Sequence, residues 1–480
     1  MNVLQRMTVV LLWMAFCLFI GNAVATAQET VSSVTDVLEP IQGPAVAPPG
    51  PFFVDRVSFE VDGASRPGPL LLVSGLEAGA TADTIEELEA LLRRARQDLM
   101  NRRVFDEITV VWSVAEADAT AGEQENAERS EDSAGIESVT PIRAVFHIDD
   151  GWTLLPIAFY RYNSNSGHNP FVVLYWDNIL GTLTDFGVSA GYYSRNWITS
   201  FGWDVRLDWR RVRMLGRQWN FSFDQEFETF EQASPEGEVE LAYTGYFTSL
   251  GVSTSFRISD RLRYSISPNI GLDYGYDTIT NETSQTLPAD RAAAGFSHGL
   301  TTGGIDWVNN LRRGWSASLS NGISYDPEQR DWQADVGLSY SHHWLPQPRI
   351  SPAIRARVSH NFDGDKLSRG GIVRGVADNR VFGATVVAVN TQVAILAVDW
   401  VRVADIQIIP FVDIAVARKE GTAINSDDVA VGFGADLVVF PVFMRGFQGR
   451  LSFGLDAREF VVGRPSRFLL EFSVTETLQI

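Results

Sequence analysis

Cysteine is all but missing, the single thiol of this 480-residue chain being Cys17. A disulfide framework is therefore excluded. Long apolar runs are missing too. Beyond residue 20 no stretch of eighteen apolar residues occurs, which excludes a helical membrane protein. Basic charge is scarce, with 39 Lys and Arg against 59 Asp and Glu, and the net charge of −20 argues against a nucleic-acid partner. Neither zinc-ligand spacing nor a phosphate-cradling glycine loop occurs, so no cofactor or metal is expected. Aromatic residues, by contrast, are plentiful: 29 Phe, 13 Trp and 12 Tyr.

The chain opens with Arg6, an apolar run over Met7–Ile20, and small residues at Ala23, Ala25 and Ala27. This is the pattern of a secretory signal peptide over 1–27, its apolar run short of the roughly twenty residues that span a bilayer. Cys17 lies inside it and follows the bulky Phe16. The mature chain is thus expected to carry no thiol and no lipid anchor. Residues 28–51 are Pro-rich and without periodicity, an extended linker.

Residues 52–150 read as a small α+β domain. Val57, Phe59 and Val61 alternate as a strand. Thr84 and Glu87 form a capping box, after which Ile85, Leu88, Leu92, Ala95 and Leu99 recur at helical spacing. Phe105–Trp112 and Ile142–Ile148 supply two more strands. Between them, 115–138 carries eight carboxylates against Arg129 alone and lacks the ligand rhythm of a calcium loop, so it reads as a disordered acidic insertion.

From residue 151 to the C-terminus the dominant pattern is alternation. In Arg261–Tyr276, Leu262, Tyr264, Ile266, Ile270, Leu272, Tyr274 and Tyr276 share one face, and Arg263, Ser265, Ser267, Asn269, Gly271, Asp273 and Gly275 share the other. Such segments run about ten to sixteen residues, whereas soluble strands average five or six. Length and alternation together predict an all-β antiparallel transmembrane barrel, apolar outside and polar inside. Sixteen strands are expected, beginning near residues 153, 169, 184, 199, 218, 244, 261, 295, 314, 331, 350, 382, 404, 429, 447 and 467. The long connectors 231–243, 277–294, 363–381 and 418–428 fall at one end. Tight turns such as Leu345-Pro346-Gln347-Pro348 fall at the other. An even strand number and an export signal predict the bacterial outer membrane, with the small domain in the periplasm.

The connector before the twelfth strand contains Gly370-Gly371-Ile372-Val373-Arg374-Gly375-Val376. It resembles the inserted sixth loop of the BamA and TamA-like outer-membrane assembly factors. Five strands follow it, as in that family, and Phe411-Val412-Asp413 matches the family's Phe-x-Asp pattern. The resemblance implies that Arg374, within Val373, Arg374, Gly375 and Val376, reaches into the lumen toward Asp413, Gln392 and Phe411. Parity independently places Phe411 and Asp413 inward, opposite Ile408, Val412 and Ile414. A confined carboxylate also needs a partner such as an arginine fork. The domain over 52–150 resembles a polypeptide-transport-associated (POTRA) domain, with Asp149-Asp150-Gly151-Trp152 as the hinge into the barrel. Three features depart from the family: Val376 replaces an aromatic, Gln392 replaces an acid, and the chain ends Leu478-Gln479-Ile480.

The resemblance implies a cofactor-free factor that inserts outer-membrane barrels, templating client strands at the seam between the first and last strands. Tyr160, Leu470, Phe472 and Val474 are expected along that seam. A two-partner-type secretion transporter and a passive porin are the alternatives. The partners implied are client polypeptides, outer-membrane lipid and a periplasmic protein at the POTRA domain. No enzymatic activity is expected: Ser339, Ser341 and His343 share a face but lack an orienting acid, and Asp363 with Asp365 is too sparse for calcium.

Overall fold

A computed structural model describes residues 41–44, 48, 50–115, 139–151, 153–163, 167–196, 200–215, 217–233, 239–259, 262–281, 286–327, 330–363, 367–368, 372–376, 382–400, 403–425, 428–442, 447–457 and 469–476. The signal segment, most of the linker, the acidic insertion from 116 onward and the chain end lie outside these residues.

The first unit is built from β1 (Phe52–Asp62), α1 (Pro67–Ser74), a two-residue β2 (Thr81–Ala82), α2 (Ile85–Met100), β3 (Phe105–Val114) and β4 (Thr140–Asp150). Its sheet order is β2-β1-β4-β3, with β1 parallel to β4 and β3 antiparallel to it. Helix α2 starts where the capping box puts it. The Thr84 hydroxyl accepts from Glu87 N–H, while the Glu87 carboxylate accepts from Asp83 N–H, one residue earlier than a strict box. Its apolar stripe of Leu88, Leu92, Ala95 and Leu99 is buried against Phe105, Ile108, Ile142 and Phe146 on the sheet. One continuous core results.

The second unit is a barrel of sixteen antiparallel strands in sequence order. They are β5 (Leu154–Asn163), β6 (Gly167–Trp176), β7 (Asp185–Asn196), β8 (Ser200–Met214), β9 (Arg217–Ala233), β10 (Val239–Arg257), β11 (Leu262–Asn281), β12 (Arg291–Val308), β13 (Leu311–Asp326), β14 (Asp331–His343), β15 (Ile350–Asn361), β18 (Thr385–Trp400), β19 (Ala404–Arg418), β20 (Val429–Pro441), β21 (Phe447–Asp456) and β22 (Leu469–Glu476). The short β16 (Leu367–Ser368) and β17 (Phe382–Gly383) pair with each other in the loop before β18.

Alternation sorts the side chains. Leu250, Ile270, Leu319, Leu338, Ile408 and Leu437 stand exposed on the outer wall, with Ile270 54% and Leu338 53% accessible. Asp273 and Arg291, facing each other across β11 and β12, pair inside at 2.6 Å. Exposed tryptophans mark both rims, Trp332 at one and Trp209, Trp315 and Trp400 at the other.

Two sequence expectations are corrected. The strands β9 to β12 outrun their expected bounds, so the connectors 231–243 and 277–294 shrink. Near the loop ends both faces are wet and apolar alternation stops, but backbone pairing does not. Phe382-Gly383, expected to open the twelfth strand, belongs instead to the loop hairpin. A Cβ at Gly383 would stand 2.5 Å from the Arg418 carbonyl oxygen, and the barrel ladder begins at Thr385.

Hydrogen bonds and a ring contact cross the joint between the units. Asp150 accepts from Ala64 N–H, Ser65 N–H and the Ser65 hydroxyl at 2.6, 2.7 and 2.7 Å. Ser65 in turn accepts from Asn178 in the β6–β7 turn at 2.6 Å, and Arg66 N–H donates to Gly181 O at 2.9 Å. A second contact lies at the β12–β13 turn, three strand pairs beyond the β6–β7 turn. Asn101 bonds Asp306 and Trp307 N–H, Arg103 donates to Asn310 at 2.6 Å, and the Arg103 guanidinium lies 4.4 Å from the Trp307 ring centroid. Burial beside Arg211 pushes Arg102 in this joint down to about 10. The α+β unit therefore bridges two turns at one rim of the barrel.

Candidate functional site

The loop between β15 and β18 returns into the lumen through Ile372–Val376. Hydrophobic burial seats it. Val373 and Val376 are 1% exposed and pack with Ile372 against Val386, Ala388, Ala415, Ala417 and Ala430. Those inward positions carry small apolar side chains, leaving room where a polar lumen would be filled. Burying each valine is worth roughly 1.5–3 kcal/mol.

Between the valines, Arg374 makes a planar fork on Asp413, with Nε donating to Oδ2 at 2.8 Å and Nη2 to Oδ1 at 2.9 Å. Its Nη1 donates to Asp436 Oδ2 at 2.9 Å and to Gln392 Oε1 at 3.1 Å. The backbone N–H of Arg374 reaches Asp413 Oδ2 at 3.1 Å, and the guanidinium lies 3.9 Å from the Phe411 ring centroid. Asn390 donates to the Ile372 carbonyl at 2.7 Å. All of these partners project from alternate positions of β18, β19 and β20, where Asn390 stands opposite Asp413 and Gln392 opposite Phe411. The side chains of Asp413 and Asp436 are wholly buried.

Close backbone approach completes the seat. Gly375 has φ +86, and a Cβ there would meet Leu455 N at 2.6 Å. On the barrel side, a Cβ at Gly432 would collide with the Arg374 carbonyl oxygen. We expect Gly432→Val to unseat the loop without disturbing the outer wall. Protease cleavage in the 363–381 loop should then rise severalfold in folded protein, a mechanism of overpacking worth about 1–3 kcal/mol. Unchanged cleavage would show that the loop tolerates a larger gap.

The structure thus brings together Val373, Arg374, Gly375, Val376, Asp413, Gln392 and Phe411, while Gly370 and Gly371 lie outside the described residues. Gln392 accepts a hydrogen bond where the resembled family places an acid, and Asp436 supplies the second carboxylate. Asp436 was missed by sequence reasoning, although its signal was available: it is the one carboxylate at an inward position of β20.

The seam is the second candidate site. Strand β22 meets β5 at Glu471 opposite Asn163 and Phe472 opposite Tyr162, and no further pair occurs among the described residues. By contrast, β21 and β22 pair continuously from Phe447–Glu476 to Gly454–Leu469. Phe472, expected near Tyr160, stands opposite Tyr162, two residues along the same strand. A two-residue slip preserves the inside–outside pattern, so alternation cannot detect it. Tyr160 and Val474 have no partner across the seam among the described residues, and the position across from Leu470 lies outside them. The side chains of β22 also lie outside what is described.

Of the residues considered for hydrolysis, Ser339 shares a hydrogen bond of 2.7 Å with Ser318 across β13 and β14, and Ser341 accepts from Arg355. Asp365 lies outside the described residues.

Sequential antiparallel closure, a lumen-returning arginine loop and an appended α+β unit define the fold as a closed antiparallel β-barrel with a small domain at one rim. The chain is similar to CdiB from Acinetobacter baumannii at 12% identity and a TM-score of 0.56, over 88% of this chain and 74% of that one. It is also similar to CdiB from Escherichia coli at 11% identity and TM-score 0.49, over 95% and 99% of the two chains. BamA from Haemophilus ducreyi lacking POTRA domains 1-3 aligns at 13% identity and TM-score 0.49, over 88% and 84%. These likenesses are of fold. No family model matches the sequence, and no curated protein does.

Proposed function

We propose that the chain is an outer-membrane β-barrel protein that inserts client polypeptides into the membrane at its seam, without a cofactor and without enzymatic chemistry. The observation that carries this reading is the seam itself. On their seam-facing edges, Leu155–Arg161 of β5 and Ser473–Glu476 of β22 have no cross-seam partner among the described residues. In lipid each unsatisfied group costs several kcal/mol, so such an edge favours any client strand that pairs with it. The lumen loop supports the same reading, because a barrel whose lumen is filled by Val373, Arg374 and Val376 is poorly suited to passive diffusion. The α+β unit is read as a POTRA domain in the periplasm, holding clients near the rim where it docks.

The test is insertion of a urea-denatured outer-membrane barrel protein into liposomes carrying this protein, scored by heat-resistant folded client. Acceleration over empty liposomes supports insertion. Protease-protected but unfolded client inside the vesicles supports a secretion transporter, and neither outcome leaves a porin.

One comparison tests the domain. Deleting 119–134, which removes charged, non-periodic residues outside the described structure, should leave stability and insertion near wild type, since loop closure entropy varies slowly with length. Phe146→Pro, in the central strand β4, should abolish both the ladder and insertion. Loss with the deletion and not with Phe146→Pro overturns the assignment of the working surface.

A further inference from the structure

The outer edge of the small sheet is already occupied by the chain itself. Strand β3 is the edge in the order β2-β1-β4-β3, and Gln42 lies along its free side in parallel orientation, opposite Val111. Gln42 N–H donates to the Val110 carbonyl at 3.1 Å, and Trp112 N–H donates to the Gln42 carbonyl at 2.9 Å. Ile41 packs against the core. Gly43 lies on the Trp112 indole so closely that a Cβ would stand 2.6 Å from Nε1 and 2.8 Å from Cζ2. Further back, Arg96 Nε caps the Ile108 carbonyl at 2.6 Å. The stretch left for an added strand is therefore Val110–Val114, and the linker sits on it.

The fit is incomplete in two ways. Among the described linker residues only Gln42 pairs, and Pro44 has no N–H with which to extend the ladder. Trp112 is 2% exposed, yet its indole N–H has no acceptor among the described residues. Buried donors are ordinarily satisfied, and residues 41–44 leave this one open to an acceptor.

We propose that residues 41–44 are a guard strand that closes the β3 edge until an extended client segment displaces it. The client adds parallel to β3 in the register of Gln42. It offers an apolar residue in place of Ile41, a small residue over Trp112 and an acceptor for the indole N–H. Guarding has a physical reason, since a bare edge in the periplasm pairs with any strand it meets. Displacement is favoured because a client strand can bond along Val110–Val114 where the linker bonds at one residue. The inference rests on the polypeptide-handling reading and adds its docking site, chain direction and regulation.

The test uses the full chain in liposomes and hydrogen exchange at the Trp112 amide. Gly43→Leu cannot lie on the indole and expels the guard without altering β3. Exchange at Trp112 should become on the order of tenfold faster. Adding the urea-denatured barrel protein should restore protection, at a severalfold lower concentration in Gly43→Leu than in the parent. Trp112→Phe keeps the ring and removes the donor, so the guard should hold while client protection weakens. Equal exchange in parent and Gly43→Leu overturns the guard. Faster exchange with no gain in client protection overturns the docking site. Either result, with liposome insertion intact, leaves the proposed function standing; loss of insertion in the parent itself would instead fail that function.

Discussion

Replacing Arg374 with alanine is expected to abolish the barrel's heat resistance on gels while leaving it able to fold in the cold. The substitution strands Asp413, leaves Asp436 with Arg450 at 3.8 Å as its remaining cation, and leaves the Gln392 carbonyl without its donor; both carboxylates are wholly buried. Removing one partner of a buried pair costs about 3–5 kcal/mol, chiefly because the remaining charge stays uncompensated. The valines cannot offset this, because their burial depends on the same short turn staying in place. Arg374→Lys should give an intermediate loss, since a single ammonium cannot reproduce a fork that spans Asp413, Asp436 and Gln392. Adding Asp413→Asn and Asp436→Asn to Arg374→Ala should recover part of the heat resistance by removing the stranded charges. An unaltered transition in Arg374→Ala would show that Val373 and Val376 alone hold the loop.

This site was legible in the sequence to an uneven degree, for physical reasons. Strand positions were legible because period two over bilayer-spanning lengths is a strong constraint: β14, Asp331–His343, falls where its alternation ends. The Arg374–Asp413 pair was legible because the loop motif and the parity of β19 point to the same lumen. Asp436 was equally inward, but no motif drew attention to it. The close approach at Gly432 was not legible, since a glycine on a strand face also marks bulges and wet lumen positions. Nor was the joint made by Asn101, Arg103 and Trp307, because polar contacts between a helix end and a distant turn leave no periodic trace. Outside the belt, β9 to β12 lost their alternation while keeping their pairing. There, hydrogen bonding alone sets the strand ends.

Locking the seam is expected to stop client insertion without unfolding the protein. Tyr162 and Phe472 stand directly opposite each other, and opposed residues of antiparallel strands have Cβ atoms about 4.5–5.5 Å apart, close to disulfide range. Cysteines at these two positions, in a chain with Cys17 replaced by serine, should form a bond spontaneously in an oxidising compartment. The oxidised protein should keep its heat resistance, because the bond joins strands that are already neighbours. Insertion should fall to the level of empty liposomes and return on reduction. The matched control is a cysteine pair at Ser318 and Ser339, whose hydroxyls already meet at 2.7 Å between two continuously paired strands. That lock should leave insertion untouched, since β13 and β14 have no edge to open. The contrast isolates the seam from any general effect of stiffening a barrel. If both locks leave insertion at the reduced rate, clients do not enter between β5 and β22. The seam-facing edge of β5 from Leu155 to Arg161, which has no cross-seam partner among the described residues, would then need another occupant, because in lipid it is too costly to remain bare.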